Sequence, residues 1–187
     1  MTNFPRHPAD TAPDAAKERL IASEKAYGFL PGLYQVMADA PQLLETYQRT
    51  HEACVSTSFD NTELTVVWQS INVEHECHYC VPAHTGIAHS IGIAQDVIDA
   101  LRDETPLADP KLEALRTFTL ALPRGRGHVT PAEFEAFYAA GYGSQHVLEI
   151  ILGLSQKVLS NYTNHVAQTA VDPAFQQFAW SRTDKAA

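Results

Sequence analysis

The spacing of its apolar residues limits what this chain can fold into more than any other feature. From Asp14 onward, apolar side chains recur at the three- and four-residue intervals of an amphipathic α-helix, and no segment alternates convincingly as a β-strand does. Glycines stand where C-terminal caps are needed, and prolines stand in first turns. These residues are Gly28, Gly92, Gly141, Pro41 and Pro131. The pattern predicts an all-α fold.

Nine helical segments are predicted, over residues 14–27, 32–39, 41–56, 61–75, 79–91, 94–103, 109–122, 131–140 and 144–169. Two starts are well marked, because Asp60 precedes Glu63 and Thr130 precedes Glu133 at the spacing of a capping box. In the last segment an apolar stripe is expected to face the core, as in a central helix. This stripe consists of Val147, Ile150, Ile151, Leu154, Val158 and Leu159.

The chain has the length of one domain. With 187 residues it can bury about two-thirds of the surface that its unfolded form exposes. Residues 1–13 carry prolines among small and polar residues, so we expect a flexible N-terminal arm there. We assign residues 14–175 to a single helical domain and residues 176–187 to a C-terminal tail.

The charge and hydropathy of the chain argue against two classes of partner. A formal net charge of −9 and a pI near 5.4 leave no basic surface for the backbone of a nucleic acid. No stretch approaches the roughly 20 apolar residues that span a bilayer, and the first residues lack the apolar core of a signal peptide. We therefore expect a cytoplasmic protein with no nucleic-acid or membrane partner.

The chemistry of the chain is concentrated in the segment Cys77-His-Tyr-Cys80-Val-Pro-Ala-His84, which follows an apolar helix and opens the next one. The unpaired N–H groups of a helix's first turn favour a thiolate. A free cysteine is only about 3% thiolate at pH 7, and the helix dipole lowers its pKa by less than one unit. A further partner is therefore required.

His84 is the natural candidate for this partner. It lies four residues after Cys80, hence one helical turn along on the same face, and Cys77 lies about one turn before Cys80. We expect the two thiols and the imidazole to share a partly apolar recess that shields a small oxidant or a disulfide from bulk water. A Cys-x-x-Cys pair in a reducing compartment indicates redox or metal chemistry.

A zinc site is the competing interpretation of the same segment. Cys77, Cys80, His84 and either His75 or His78 could supply four ligands. Against this, the chain has no second Cys-x-x-Cys and no His-x-x-x-His motif. Under this hypothesis the protein would be a non-enzymatic metal-binding helical protein.

The segment resembles the alkylhydroperoxidase AhpD-like proteins of the carboxymuconolactone decarboxylase superfamily, and the likeness extends more weakly over residues 20–170. The resemblance implies an AhpD-like helical bundle that assembles into homo-oligomers. It also implies a thiol-dependent peroxidase or a general thiol–disulfide oxidoreductase, with a hydroperoxide as substrate and an external thiol or dithiol as electron donor. Decarboxylase chemistry is less favoured, because the cysteine pair would then have no evident role.

The same resemblance implies roles for individual residues. Cys80 matches the cysteine that attacks the peroxide, Cys77 the cysteine that resolves the product as a disulfide, and His84 the histidine of a proton relay. No cofactor or metal is implied. The relay also uses a glutamate twelve residues before the first cysteine, where this chain has Thr65.

The relay carboxylate must therefore be reassigned. Glu63 and Glu74 share one face of their helix, and Thr65 lies nearly opposite, on the face that Glu76 would continue. We predict Glu74 as the relay carboxylate because it is closer to the motif. Glu63, which suits a capping role better, and Glu76 stay alternatives.

Three polar residues of the last helix could also approach the thiols, although a buried polar cluster explains them as well. They are Asn161, Asn164 and His165. Cys54 is expected to be an inert core thiol.

Overall fold

The structure is a computed structural model, and it describes residues 4–182. Over this range the chain forms nine α-helices and no β-strand, so the predicted all-α class is confirmed. The helices are α1 (Asp14–Tyr27), α2 (Gly32–Met37), α3 (Pro41–Val55), α4 (Asn61–Glu74), α5 (Cys80–Ser90), α6 (Gln95–Arg102), α7 (Pro110–Arg124), α8 (Pro131–Ala139) and α9 (Ser144–Ala167). A 3₁₀ turn, Pro173–Phe178, follows α9. None of the helices in this range has the length and hydrophobicity needed to cross a membrane.

The helix ends follow local chemistry. Both predicted capping boxes are present: the Glu63 backbone N–H donates to Asp60 Oδ1 over 2.8 Å, and Glu133 N donates to Thr130 Oγ1 over 3.3 Å. Gly28 ends α1 with a φ of 77°, in the left-handed region that glycine adopts without strain. These signals lie within a few residues of each other, which is why the sequence places the boundaries well.

Helix α4 is the centre of the fold. It packs against α5, α6, α7 and α9, and every residue from Glu63 to Val73 is buried. One apolar cluster joins α4 to α7, α8 and α9, with the rings of Phe118 and Phe137 stacked at 4.2 Å. A second cluster joins α1, α2 and α3 to the cysteine motif. The motif therefore lies at the end of the central helix, between the two halves of the core.

Helix α9 differs from its predicted pattern. Of the expected apolar stripe only Ile150 is fully enclosed, and Ile151 is 43% exposed. The buried face of α9 is small and polar instead, and it consists of Ile150, Gly153, Gln156, Lys157, Ser160, Asn161 and Asn164. Two of these inward-facing amides have hydrogen-bond partners, because Asn161 Nδ2 donates to Asn72 Oδ1 and Asn164 Nδ2 donates to Cys80 Sγ. Helix α9 packs inside the fold, as predicted, but the prediction of which of its faces is buried was wrong.

Both ends of the described chain contact the domain. In the predicted arm, His7 N donates to Gln35 O over 3.1 Å and Ala12 belongs to the second apolar cluster. In the predicted tail, Trp180 Nε1 donates to Arg102 O over 3.1 Å. The 3₁₀ turn crosses the predicted boundary at residue 175, so the structure shows no break there. Residues 1–3 and 183–187 lie outside the described residues.

Candidate active site

A pocket of about 500 Å³ opens between α3, α4 and α5. Its wall is mostly apolar and aromatic, and none of the described residues that line it carries a carboxylate. The lining includes Tyr27, Phe29, Tyr34, Tyr47, Phe59, Trp68, Ile87, Ile91 and Phe175. Two thiol-site residues, Cys80 and His84, also line it. This volume suits a small organic molecule.

The two thiols of the motif lie together but differ in access. Helix α5 begins at Cys80, whose backbone N–H donates to Cys77 Sγ over 3.3 Å. Cys77 has 0% of its surface exposed and does not line the pocket, whereas Cys80 is 3% exposed and lines it. A molecule in the pocket can therefore contact Cys80, whereas Cys77 is enclosed behind Cys80 and is not accessible from the pocket.

The polar face of α9 approaches the thiols from the other side. Asn164 Nδ2 donates to Cys80 Sγ over 3.3 Å. Lys157 is fully buried, and its Nζ lies 2.6 Å from His84 Nε2 and 5.0 Å from the centre of the Trp68 ring. A lysine with no exposed surface is rare unless a negative charge compensates it.

The groups around the thiols set their ionisation in opposite directions. Burial by itself raises the pKa of Cys80. The hydrogen bond with Cys77, the charge of Lys157 and the amides of Asn161 and Asn164 outweigh burial and lower the pKa of Cys80 to about 6. The hydrogen bond with Cys80, followed by burial, raises the pKa of Cys77. Cys80 is therefore the thiolate at neutral pH, and Cys77 keeps its proton.

Lys157 and His84 respond to the same surroundings. Burial lowers the pKa of Lys157 to about 8, against the opposing attraction of Cys80, Cys54 and Cys77. Lys157 therefore stays mostly protonated at pH 7. Burial and the charge of Lys157 hold the pKa of His84 well below its usual range. A protonated Lys157 donates to His84 Nε2, which leaves the proton of the neutral ring on Nδ1.

The residues between the two cysteines tie the motif to the C-terminal segment. Tyr79 donates its hydroxyl proton to Asp172 Oδ2 over 2.5 Å, and Asp172 also accepts from the Gly32 backbone N–H over 3.0 Å. His78 Nε2 donates to the carbonyl of Thr169 over 2.9 Å. The motif is thus held by α2 on one side and by the chain after α9 on the other.

The structure does not bring the predicted relay glutamate to the thiols. Both oxygens of Glu74 accept from Arg124, over 2.9 and 2.6 Å, at the outer surface. Glu76 pairs with Arg182 over 2.7 Å and is exposed. Glu63 closes the capping box and accepts from Lys111 over 2.9 Å, as expected of a structural carboxylate. Helix geometry explains this outcome, because nine residues separate Glu74 from Thr65 and place it on the opposite face.

The face of α4 that meets the motif carries amides rather than an acid. Thr65 lines the pocket, and Gln69 Nε2 donates to Val81 O over 3.1 Å. Asn72 donates to Gln69, and Asn161 donates to Asn72. These contacts fix α5 against α4 and α9, but they supply no group that titrates near neutral pH.

The ligands of the alternative zinc site are not assembled. His75 Nδ1 is hydrogen-bonded to Asn161 over 2.9 Å, and His78 is engaged with Thr169. Within residues 4–182, no group of three or more His, Cys, Asp or Glu side chains is arranged to hold a metal ion.

Lys157 is the site residue that sequence reasoning missed. Asn164 was foreseen as a residue that could reach the thiols, and it does. The signal for Lys157 was a row of small and polar residues at helical spacing inside an otherwise apolar helix, namely Gly153, Gln156, Lys157, Ser160, Asn161 and Asn164. Such a row indicates a buried polar face, but it does not show what that face contacts.

Comparisons with known proteins identify the class of fold. No family model and no curated protein matches the sequence. The structure is similar to that of the AhpD core of an uncharacterized peroxidase-related protein from Ralstonia eutropha JMP134, with 20% identity and a TM-score of 0.80 over 94% of this chain and 96% of that chain. The chain therefore has the AhpD-like all-α fold, and the predicted resemblance is confirmed at the level of fold.

Two further solved structures have a similar fold. One is an uncharacterized peroxidase-related protein from Silicibacter sp. TM1040, with 13% identity and a TM-score of 0.77 over 93% of this chain and 95% of that chain. The other is the debrominase Bmp8 with a cysteine replaced by alanine, in complex with 2,3,4-tribromopyrrole, with 18% identity and a TM-score of 0.75 over 95% of each chain.

Proposed function

We propose that this protein is a thiol-dependent oxidoreductase of the peroxidase type, in which Cys80 attacks a hydroperoxide and Cys77 then forms a disulfide with it. One observation carries the proposal. Cys80 faces the pocket as the more acidic thiol, and the protonated Cys77 lies enclosed directly behind it. The positive charge of the buried Lys157 stabilises the Cys80 thiolate.

The first step transfers one oxygen atom. The Cys80 thiolate attacks the terminal oxygen of the peroxide, so that an S–O bond forms as the O–O bond breaks. The alkoxide takes a proton and leaves as an alcohol. Cys80 is then a sulfenic acid, and the peroxide has accepted two electrons.

The second step closes the disulfide. The sulfur of Cys77 attacks the sulfur of Cys80 as Cys77 gives up its proton, and the hydroxide that leaves is protonated to water, so the step releases one water and no net proton. His84 lines the pocket beside Cys80, and its Nδ1–H can protonate this hydroxide as Nε2 takes a proton from Lys157; the proton lost by Cys77 then restores Lys157. An external dithiol restores both thiols by thiol–disulfide exchange and is itself oxidised to a disulfide.

The test is a thiol count before and after one equivalent of an organic hydroperoxide, with the products located by peptide mapping. We expect the wild-type protein to lose two thiols and to yield a peptide that links Cys77 to Cys80. Cys54 serves as an internal control, because burial raises the pKa of its thiol and it should stay reduced. A protein that keeps all its thiols under these conditions contradicts the proposal.

A second candidate function is the reductive removal of a halogen from a small aromatic ring. The observation that favours it is the aromatic wall of the pocket, since a neighbour in fold is a debrominase that was solved with a brominated pyrrole. In this reaction the dithiol gives two electrons, the carbon–halogen bond is replaced by a carbon–hydrogen bond, and halide and the Cys77–Cys80 disulfide are produced. Release of bromide from a bromopyrrole by the reduced protein tests this candidate.

The homo-oligomer that the resemblance implies also remains a proposal. The outer face of α9 presents exposed apolar side chains at helical spacing, which suit an interface with a second copy of the chain. They are Leu148, Ile151, Tyr162 and Val166. Light scattering on the wild type and on Ile151→Glu tests the assembly, and a monomeric wild type contradicts it.

A further inference from the structure

The buried ammonium group of Lys157 loses its counter-charge in the course of the proposed reaction. In the reduced protein the thiolate of Cys80 attracts it. The two other thiols that interact with Lys157 keep their protons at pH 7, because burial raises the pKa of Cys54 and the hydrogen bond with Cys80 raises the pKa of Cys77. Once Cys80 is part of a sulfenic acid or a disulfide, none of these three sulfur atoms carries a charge. A second group must then stabilise the ammonium, since a buried charge without compensation is strongly unfavourable.

The indole ring of Trp68 lies beside this ammonium group. Lys157 Nζ is over the ring at 5.0 Å from its centre, and Trp68 is only 7% exposed. The face of an aromatic ring attracts a cation within about 6 Å of its centre, most strongly for tryptophan and where water is excluded. The contact therefore favours the charged form of Lys157 over the neutral amine.

The same ring lies against the histidine that accepts from Lys157. The centres of the Trp68 and His84 rings are 5.3 Å apart, with their planes at 68°, and Lys157 Nζ lies 2.6 Å from His84 Nε2. Both rings line the pocket together with Cys80. Helix α4, which carries Trp68, packs against both α5 and α9. The ring is thus fixed between the two helices that supply His84 and Lys157, and oxidation of the thiols does not change it.

The titratable groups that interact electrostatically with Lys157 come from α3 and from the region around the start of α5. They are His51, Cys54, Cys77, Cys80 and His84. Burial is the main cause that lowers the pKa of His51 to about 4 and holds the pKa of His84 well below its usual range. Both rings are therefore neutral at pH 7 and bring no negative charge. From α4, the side chain over which Lys157 lies is Trp68.

We propose that Trp68 is a positioning residue whose ring face holds the Lys157 ammonium group in place while Cys80 carries no charge. The inference rests on the proposed function. In the second step Cys77 gives up its proton, and the ring enables Lys157 to take that proton although the disulfide is neutral. Lys157 is then charged again before an external dithiol reopens the disulfide.

Fluorinated tryptophan tests this role, because ring fluorines withdraw charge from the ring face while the shape hardly changes. The chain has two tryptophans, so Trp180→Phe leaves Trp68 as the only labelled ring. NMR of protein with ¹³C at lysine Cε follows Lys157, whose signal is identified by its absence from Lys157→Met. We expect a midpoint near pH 8 with ordinary tryptophan in the reduced protein. With three ring fluorines it should lie about one pH unit lower.

Substitution of the ring gives a second measurement. Lys157 should titrate about one pH unit lower in Trp68→Leu and less far down in Trp68→Phe, which keeps a weaker ring. Entry of water into a loosened core would instead raise the pKa of Lys157 toward its ordinary value of 10.5. The direction of the shift therefore separates the ring from a structural effect. Trp180→Phe alone is the matched control and should titrate like the wild type, because Trp180 contacts Arg102 away from the pocket.

Cys80→Ser reproduces the uncharged stage of the reaction without any peroxide. Lys157 should titrate below pH 8 in this variant because the thiolate is gone, and fluorination of Trp68 should lower the midpoint by about one further unit. A midpoint of Lys157 that fluorination leaves unchanged or raises overturns the role of Trp68. A wild-type protein that is inert to cumene hydroperoxide overturns the proposed function instead, and the two failures are distinguishable because the titration needs no turnover.

Discussion

Lys157 Nζ lies 2.6 Å from His84 Nε2 in a part of the core where Lys157 has no exposed surface. Moving an ammonium group into such a place costs several kcal/mol unless an anion compensates it. The Cys80 thiolate is that anion, because its charge opposes the lowering of the Lys157 pKa while Lys157 lowers the pKa of Cys80. Each of the two buried groups therefore stabilises the charged form of the other.

Replacing Lys157 should remove the reactivity of Cys80 without weakening the fold. With a pKa of about 6, Cys80 is about 90% thiolate at pH 7, and its alkylation should rise with pH and reach half of its maximum near pH 6. In Lys157→Met the midpoint should move to higher pH, and the rate at pH 7 should fall by several-fold, on the order of 10-fold for a shift of about two pKa units. Iodoacetamide labelling of Cys80, measured by mass spectrometry across pH, gives the profile.

The unfolding free energy separates this electrostatic role from a structural one. Lys157→Met leaves no buried charge, because Cys80 then keeps its proton, and an apolar side chain of similar size fills the space. Its unfolding free energy at pH 7 should therefore lie within about 1 kcal/mol of the wild-type value, or above it. Lys111→Met is the matched control, since Lys111 pairs with Glu63 away from the thiols. A labelling profile in Lys157→Met that still has its midpoint near pH 6 would contradict the ion pair.

Replacing Cys80 and replacing Cys77 should have different effects on the reaction with peroxide. Cys80→Ser should show no reaction with an organic hydroperoxide, because the sulfur that faces the pocket is gone. Cys77→Ala should react once and stop at the sulfenic acid of Cys80, which dimedone traps for mass spectrometry. Its Cys80 pKa should also rise, since the hydrogen bond with Cys77 helps to lower it. A disulfide-free Cys77→Ala protein that turns over continuously would exclude Cys77 as the resolving thiol.

Glu74→Gln should leave the reaction with peroxide unchanged within about twofold, because Arg124 holds this carboxylate at the surface, away from the thiols. The loss should be confined to stability and amount to about 0.2–1 kcal/mol, as for other exposed ion pairs. Arg124→Gln should lower the free energy of unfolding by a similar amount, and the double variant should lower it by little more than either single variant. If Glu74→Gln alone reacts more than tenfold slower, Glu74 is the relay residue after all.

Asp172→Ala should loosen the cysteine motif from the C-terminal segment. The carboxylate accepts from the Tyr79 hydroxyl and from the Gly32 backbone inside the protein, and charge-assisted bonds of this kind contribute about 1.5–3 kcal/mol each. We expect a loss of at least ~2 kcal/mol in urea unfolding. Asp39→Ala is a useful comparison, because Asp39 contacts His7 at the surface and should cost far less.

Gly86→Ala tests how the C-terminal segment shapes the pocket. A Cβ at position 86 would lie 2.6 Å from Phe175 Cδ1, so the ring must move out of the pocket wall. The expected result is a folded protein in which Cys80 is alkylated faster at pH 7, since its pocket is less enclosed. Gly92→Ala is not a suitable control because Gly92 has a φ of 77°, which strains any other residue. Ala88→Gly, in the same helix but outside the pocket lining, serves better.

Part of the candidate site could be predicted from sequence because it depends on neighbours in the chain. The start of α5 places Cys77, Cys80 and His84 within two turns of one another, and this order survives any arrangement of the remaining helices. The assignment of Glu74 was less secure, because closeness along the chain says nothing about which face of α4 meets the motif. The structure turns the face of Thr65, Trp68 and Gln69 toward it.

The sequence by itself determined the helices, their capped ends and the spacing of the two thiols, because each depends on interactions between residues a few positions apart. Only the tertiary structure decided that α9 turns Lys157 and Asn164 inward, and that His51 lines the same pocket as Cys80. These facts follow from how helices distant in the chain pack together. A buried charge is stable only where that packing brings its counter-charge to it, and the packing is a property of the whole core.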